Sequence, residues 1–376
     1  MKTVLKHGLL FEKTHALHGA LVDILIEDGI IAAIAPSAAD VFATETDVVE
    51  LNGWHISAGW IDLHVHCFEG GSEIGTPADT MGVAQGVPII VDAGTAGAAT
   101  MDEFVAYVQT QQTKVFSLIN IATTGLQTLH ELRDLSNIDT DALMKKVGAY
   151  PDFIKGIKVR ESGSVVGENG VKPLMIAEEV ATQLNLPVMV HIGNGPPGLS
   201  EVVEQLRAGD IITHCYHGKQ HVNIIDEQTG DVHPFVRQVQ EQGVILDIGH
   251  GSESFAMNVA REAIAQGVEP DTISTDMYWK NIADPVRSLA VTMDKIIEAG
   301  ISCDDVITKV TKNPAQALKI ENMYGTVAAG RQAVFTMFEI VQEQVEVKDS
   351  LGFAFPVTQQ LQPRACLIEN QIFYVK

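Results

Sequence analysis

The chain has little that would let it bind polyanions, staple itself with disulfides or cross a membrane. Twenty-five Lys and Arg stand against 48 Asp and Glu, for a formal net charge of −23. Such a field repels a nucleic-acid backbone or an anionic membrane surface, so neither is expected as a partner. Only four cysteines occur, Cys67, Cys215, Cys303 and Cys366, scattered and without a C-x-x-C pair. That spacing argues against a zinc knuckle or a thioredoxin-like centre and fits a reducing compartment. Hydrophobic residues make up 46% of the sequence, yet the apolar runs are short and broken by Gly, Asp or His. None approaches the roughly 18 continuous apolar residues of a membrane span. The opening Met1-Lys2-Thr3-Val4-Leu5-Lys6-His7-Gly8 goes straight into strand-like alternation without a long apolar leader, which makes a cytoplasmic location the expectation.

What is present is a long alternation of strand-like and helix-like segments. At 376 residues the chain has room for a β/α barrel of roughly 250 residues and a smaller module. Short apolar runs rich in β-formers fall at 60–66, 87–92, 115–121, 153–160, 187–191, 211–214, 244–248 and 272–276. Between them, segments such as 174–184, 200–208, 234–242 and 254–266 carry apolar residues at three-and-four spacing, with Gly near several ends. Eight β/α units close a barrel, so the expected fold class is α/β, a (β/α)8 TIM barrel over residues 56–325. The ends read differently. Residues 1–55 alternate around an Asp28-Gly29 hairpin turn, and 326–376 return to strand-like runs such as Ala333-Val334-Phe335-Thr336-Met337-Phe338. Both termini are therefore expected to combine in one small discontinuous β-sandwich.

Several barrel runs finish in side chains that a buried strand has little reason to carry unless they are compensated. His64 and His66, spaced i, i+2 on a strand, project from one face and can grip one metal ion. Lys158 lies in the fourth run, His191 ends the fifth, His214 the sixth and Asp276 the eighth. Any one of these reads equally well as a hydrogen-bonded structural residue. Together, at the rim where barrel enzymes keep their chemistry, they point to a metal site. Cys67 and Cys215 each follow one of these histidines, so on a strand they face the other way and serve packing.

With these residues the chain resembles the amidohydrolase superfamily, in its dihydroorotase-like and small deacetylase branch. The resemblance spans nearly the whole length and rests on Gly59 to His66, Gly156-Ile157-Lys158-Val159, Val190-His191-Ile192-Gly193, Thr213-His214-Cys215 and Ser274-Thr275-Asp276. It implies that His64, His66 and Asp276 bind one divalent ion, that His191 and His214 bind a second, and that Lys158, carboxylated by carbon dioxide, bridges them. Lys155 is the competing lysine, but its odd offset turns it away from the face of Lys158. Zinc is the expected metal, since imidazole and oxygen ligands suit it and hydrolysis needs no redox change. The implied reaction is attack of a metal-bridging hydroxide on an amide or acyl ester of a small, often carboxylated molecule, with Asp276 handling the proton. Deacetylation is the leading expectation. Opening of a cyclic amide, as in dihydroorotases, is the alternative on the same core, and a non-catalytic barrel scaffold is the second alternative. Deaminating relatives with one metal carry His-x-x-Glu after the fifth strand, whereas His191 here is followed by Ile192-Gly193-Asn194.

Substrate contacts are expected from Arg160, two residues beyond Lys158 on the same face, as a bidentate carboxylate clamp. An ion pair, for instance with Glu161, is the alternative for it. His250, His217 and Tyr278 are further candidates on loops after the later runs, with Trp279 as a pocket wall or plain packing. The glycine-rich stretches 163–170 and 193–198 lack the pattern of a phosphate-binding loop and read as flexible connections. The closing module carries Gly330-Arg331-Gln332-Ala333-Val334 where many relatives have Gly-x-x-Ala-Asp. Self-association into a homo-oligomer is compatible with a soluble enzyme, though no segment marks an interface.

Overall fold

The computed structural model describes residues 2–39, 42 and 47–376. The remaining positions, 1, 40, 41 and 43–46 of the expected N-terminal module, lie outside the described residues. Seven parallel strands follow one another in sequential order: Ile61–Val65, Ile89–Ala93, Lys114–Asn120, Ile154–Glu161, Val188–Ile192, Ile211–Thr213 and Ile245–Leu246. They are dominated by Ile, Val and Leu and are buried almost throughout, as a parallel sheet covered on both faces requires. The eighth expected run, 272–276, is not a continuous strand, but it bridges both neighbours through Asp247–Thr272 and Val65–Met277. Asp276 N donates to His64 O at 2.7 Å and His66 N to Met277 O at 3.0 Å, which closes a TIM-like barrel. Strand geometry fails there because Asp276 has φ +48°, in the left-handed region that a strand cannot accommodate.

Amphipathic helices clothe the barrel. Lys172–Leu184 buries Leu174, Ala177, Val180 and Ala181 at three-and-four spacing and ends at Asn185, whose left-handed backbone terminates the helix. The helix expected at 200–208 is shorter, Leu199–Val203, and the one expected at 254–266 is Met257–Ala265. Among the described residues no helix is long and apolar enough to cross a membrane.

Strands from both termini pair in one eight-stranded sheet. Its order is Gln371–Tyr374, Gln360–Ile368, Val334–Val341, His55–Ala58, Lys2–Leu10, Leu21–Glu27 and Ile30–Pro36, with Asp47–Glu50 alongside Lys2–Leu10. The turn at Asp28-Gly29 has φ of +49° and +78°, the positive pair that a two-residue hairpin needs. An apolar cluster of Leu5, Leu10, Ile24, Ile56, Phe335 and Met337 holds this sheet. Two details depart from the expected boundaries. The sheet includes His55–Ala58, which joins the two terminal segments by pairing with both Lys2–Leu10 and Val334–Val341. The hairpin Val345–Lys348 with Ala354–Val357 leaves the sheet altogether, and its Val347, Phe355 and Val357 pack into the barrel's core.

Candidate metal centre

At the C-terminal ends of the barrel strands, His64, His214 and Asp276 converge with their ligand atoms all within 4.8 Å of one another. Asp276 Oδ1 lies 3.3 Å from His64 Nε2 and 3.0 Å from His66 Nε2. Lys158 Nζ is 3.2 Å from His64 Nε2 and 3.4 Å from Met189 Sδ. The ring of His191 stands 4.4 Å from that of His214, with its Nε2 turned toward Ser162 Oγ at 3.1 Å. All six residues expected from the sequence are thus gathered at one place. Room for Lys158 depends on Gly94, where a Cβ would sit 2.7 Å from the lysine side chain. Lys155 points elsewhere, donating to Pro151 O at 3.0 Å and lying over the Phe116 ring.

Hydrogen bonds behind the cluster decide which imidazole nitrogens face it. Thr213 Oγ1 donates to Asp247 Oδ2 at 2.7 Å, so it accepts from His64 Nδ1 at 3.0 Å. His214 Nδ1 donates to the Gly249 carbonyl at 2.6 Å. With protons on Nδ1, both Nε2 lone pairs face inward. His66 Nδ1 meets Thr95 Oγ1 at 3.0 Å, and Asp92 fixes that threonine by accepting from its N–H at 2.7 Å. Asp247 is itself saturated by the hydroxyls of Thr213, Thr272 and Ser274. Asp62 accepts from Thr275 N and Oγ1, the residue preceding Asp276. Such outer partners orient ligands and set their basicity in metal sites.

His214 Nε2 is buried and has no hydrogen-bond partner. Leaving an acceptor so costs about 1–3 kcal/mol, a cost that a cation at that point removes. The donor set therefore fits divalent metal. Electrostatics agree. Burial, with the neighbouring Lys158, holds His64 well below the usual imidazole value; burial also lowers His191, and it takes His214 down to about 3. Neutral imidazole is the form that ligates. Burial brings the Lys158 amine down to about 7. Burial alone would raise the Asp276 carboxyl, but the His66 hydrogen bond, together with the neighbouring His214, His66 and Lys158, outweighs it and keeps the group below its ordinary value. Asp276 and His214 also have φ of +48° and +72°. Non-glycine residues held there cost about 1–3 kcal/mol each and concentrate at functional sites.

A cavity of about 350 Å³ opens onto these residues and is walled in part by Ile74, Leu126, Arg160, Lys219 and Tyr278. Arg160 faces it while paired with Glu131, at 3.2 Å and 3.3 Å to the two carboxylate oxygens. The ion pair considered with Glu161 is not formed, because Glu161 accepts from Leu174 N at 3.0 Å. Tyr278 shares a hydrogen bond of 2.9 Å with Ser252. Two expected substrate contacts are corrected. His250 is fully buried, its Nε2 receives Lys295 Nζ at 2.8 Å, and it does not line the cavity. His217 is fully buried too, accepting from Lys219 N at 3.1 Å, and so shapes the loop that presents Lys219. Trp279 is exposed, with its indole N–H on Glu73 O. Sequence reasoning passed over Glu131 and Lys219, which lie on loops without a pattern. Asp62, Asp92 and Asp247 did leave a signal, an acid inside an otherwise apolar run.

Comparison with known proteins agrees with this geometry. A model of the amidohydrolase family matches residues 55–359. A deacetylase of Enterococcus faecalis is 38% identical over 370 residues, covering 98% of this chain and 99% of the relative. A solved structure described as an adenine deaminase superposes with TM-score 0.94 at 37% identity, covering 99% of both chains. One described as a dihydroorotase does so with TM-score 0.91 at 32% identity, over 100% of this chain and 98% of that one.

Proposed function

The chain belongs to the amidohydrolase family and is a hydrolase of carbon–nitrogen bonds; from that premise we propose a two-metal deacetylase that removes an acyl group from a small, carboxylate-bearing molecule. The observation that carries the reading is the convergence of His64, His66, His214, Asp276 and Lys158 around inward lone pairs, one of them without any partner. His64, His66 and Asp276 would hold one ion and His191 and His214 the other, with Lys158 as a carbamate between them. A buried amine that is readily neutral favours that reaction with carbon dioxide. Zinc suits the donors. When bound, the ions supply Lewis acidity toward a carbonyl and an acidified water.

The chain's own groups do the rest. Asp276, ionised at neutral pH, takes the proton of the attacking water on its carboxylate and delivers it to the departing nitrogen or oxygen. Arg160 is held rigid by Glu131 and presents its guanidinium to the cavity, while Lys219 brings a second cation without an ion-pair partner among the described residues. A lining that combines Arg160 and Lys219 with the apolar Ile74 and Leu126 suits an anionic group and an apolar one in the same small substrate. Ring opening of a cyclic amide is the second reading, favoured by the likeness to the structure described as a dihydroorotase. Deamination is not adopted, because Ile192-Gly193-Asn194 supplies no carboxylate after His191. The test is a panel of N-acetyl amino acids and O-acetyl hydroxy acids set against dihydroorotate and hydantoins. Faster turnover of the acetylated set supports deacetylation, turnover confined to the rings supports the second reading, and a metal-free protein inert toward all of them marks a scaffold.

A further inference from the structure

The hairpin that leaves the terminal sheet ends in a turn, 349–353, placed directly behind the metal centre. Asp349 builds the turn by accepting from Leu351 N and Phe353 N, and its other oxygen accepts from Met257 N at the start of the helix Met257–Ala265. Ser350 then pairs with the barrel through one backbone and one side-chain hydrogen bond. Its N–H donates to Phe255 O at 3.0 Å and its Oγ accepts from Phe255 N at 3.3 Å. The Ser350 hydroxyl lies 3.0 Å from the His250 carbonyl and 2.9 Å from that of Gly251. From the opposite side Lys295 Nζ donates to His250 Nε2 at 2.8 Å and to Pro285 O at 2.7 Å, while the His250 ring stacks on Phe255. Gly249-His250-Gly251 is thus clamped from outside the barrel.

Its inner face touches the centre twice. The Gly249 carbonyl is the acceptor that orients His214, and a Cβ on Gly249 would lie 2.1 Å from Thr213 Oγ1. A Cβ on Gly251 would lie 2.6 Å from Asp276 Oδ2. Both glycines have positive φ and no space to spare. We infer that Ser350, with the Lys295–His250 pair opposite, is a positioning residue of the metal centre: the hairpin turn fixes residues 249–251 and thereby the direction of the His214 lone pair and the seat of the Asp276 carboxylate. This rests on the metal-centre reading above. It also gives the buried His250 a task in place of the substrate contact expected of it.

The experiment measures divalent-metal affinity of the full chain, by competition with a chromophoric chelator for zinc, in Ser350→Ala, Ser350→Thr and a control on the same hairpin, the exposed Glu346→Ala. Loss of a group that hydrogen-bonds a ligand directly weakens metal binding on the order of 10–100-fold, and Ser350 acts on such a group, the Gly249 carbonyl, through residues 250 and 251. Ser350→Ala is expected to show at least a tenfold loss that Ser350→Thr restores, with Glu346→Ala binding as wild type. A purely structural hairpin would lower the melting temperature of the metal-free chain and leave affinity intact, and that result overturns the inference. So does an equal loss in Glu346→Ala, or no rescue by threonine. If the wild type binds no zinc, the metal-centre reading falls as well; if it binds and Ser350→Ala binds equally, only the positioning role falls.

Discussion

The two ends of the barrel enclose cavities of comparable size, about 350 Å³ at the C-terminal rim and about 440 Å³ at the N-terminal end, but their polar atoms are disposed in opposite ways. At the N-terminal end Asp210 accepts from Val188 N and Arg207 N, and Asp271 from Leu246 N and the Gln240 amide. These carboxylates close off backbone groups at the start of strands and have little left to offer a ligand. At the rim, His214 Nε2 has no partner, Lys158 leans on an imidazole and a thioether, and His214 and Asp276 sit in strained backbone. Volume does not mark the site. What marks it is an unpartnered imidazole nitrogen among converging ligand groups, since left-handed backbone occurs at the other cavity too, in Asn185 and Lys319; a barrel places chemistry at that end and stability at the other.

Substitutions that separate activity from stability would sharpen or break this contrast. The largest effect is expected from His214→Asn, which keeps a residue tolerant of left-handed backbone. Turnover should fall about a thousandfold or more, roughly 4 kcal/mol of barrier, with metal lost and the melting temperature of the metal-free chain hardly changed. Asp276→Asn comes next. With metal content matched to wild type, kcat should fall about 10²–10⁴-fold, as removal of a proton-transfer group does, while KM moves little; near-normal turnover would remove Asp276 from the reaction. At the other end, Asp210→Ala strands the Val188 N–H and should cost about 1–3 kcal/mol in denaturant unfolding, with kcat per folded molecule unchanged. A large loss of kcat there would undo the division between the ends.

The smallest effect concerns pH. Burial, together with the adjacent Asp210, pushes the Glu178 carboxyl up to about 8 from an ordinary value of 4.5. In that window the folded chain holds a proton that the unfolded chain has released, so this group's stabilisation is complete below the lower value and is lost as pH rises toward the upper one. Unfolding midpoints measured from pH 5 to 8 should decline less in Glu178→Gln than in wild type. An identical decline would show that Glu178 does not titrate there.

Much of the rim was legible because it is built from strand ends. His64 and His66 on one strand face, and His191, His214 and Asp276 closing apolar runs, need only periodicity to be aligned. The barrel followed from counting those runs, although the last is held by two bridges and turned out of strand geometry at Asp276. What stayed hidden depends on loops and long-range contacts. Glu131 reaches Arg160 from 29 residues away, and Ser350 meets His250 from 100 residues away, separations over which no pattern in the chain carries information. His250 was misplaced for the same reason: ending a run says that a side chain is near the rim, not which side of the wall it occupies.

The most direct test of the account is the number of divalent metal ions bound per chain, determined by elemental analysis of protein purified without chelator, in wild type and in Lys158→Met. About two equivalents in the wild type, falling to one or none in the variant together with activity, is the predicted result. A wild-type chain that hydrolyses its substrate with no metal bound, or a Lys158→Met chain that keeps both ions and full turnover, would contradict it.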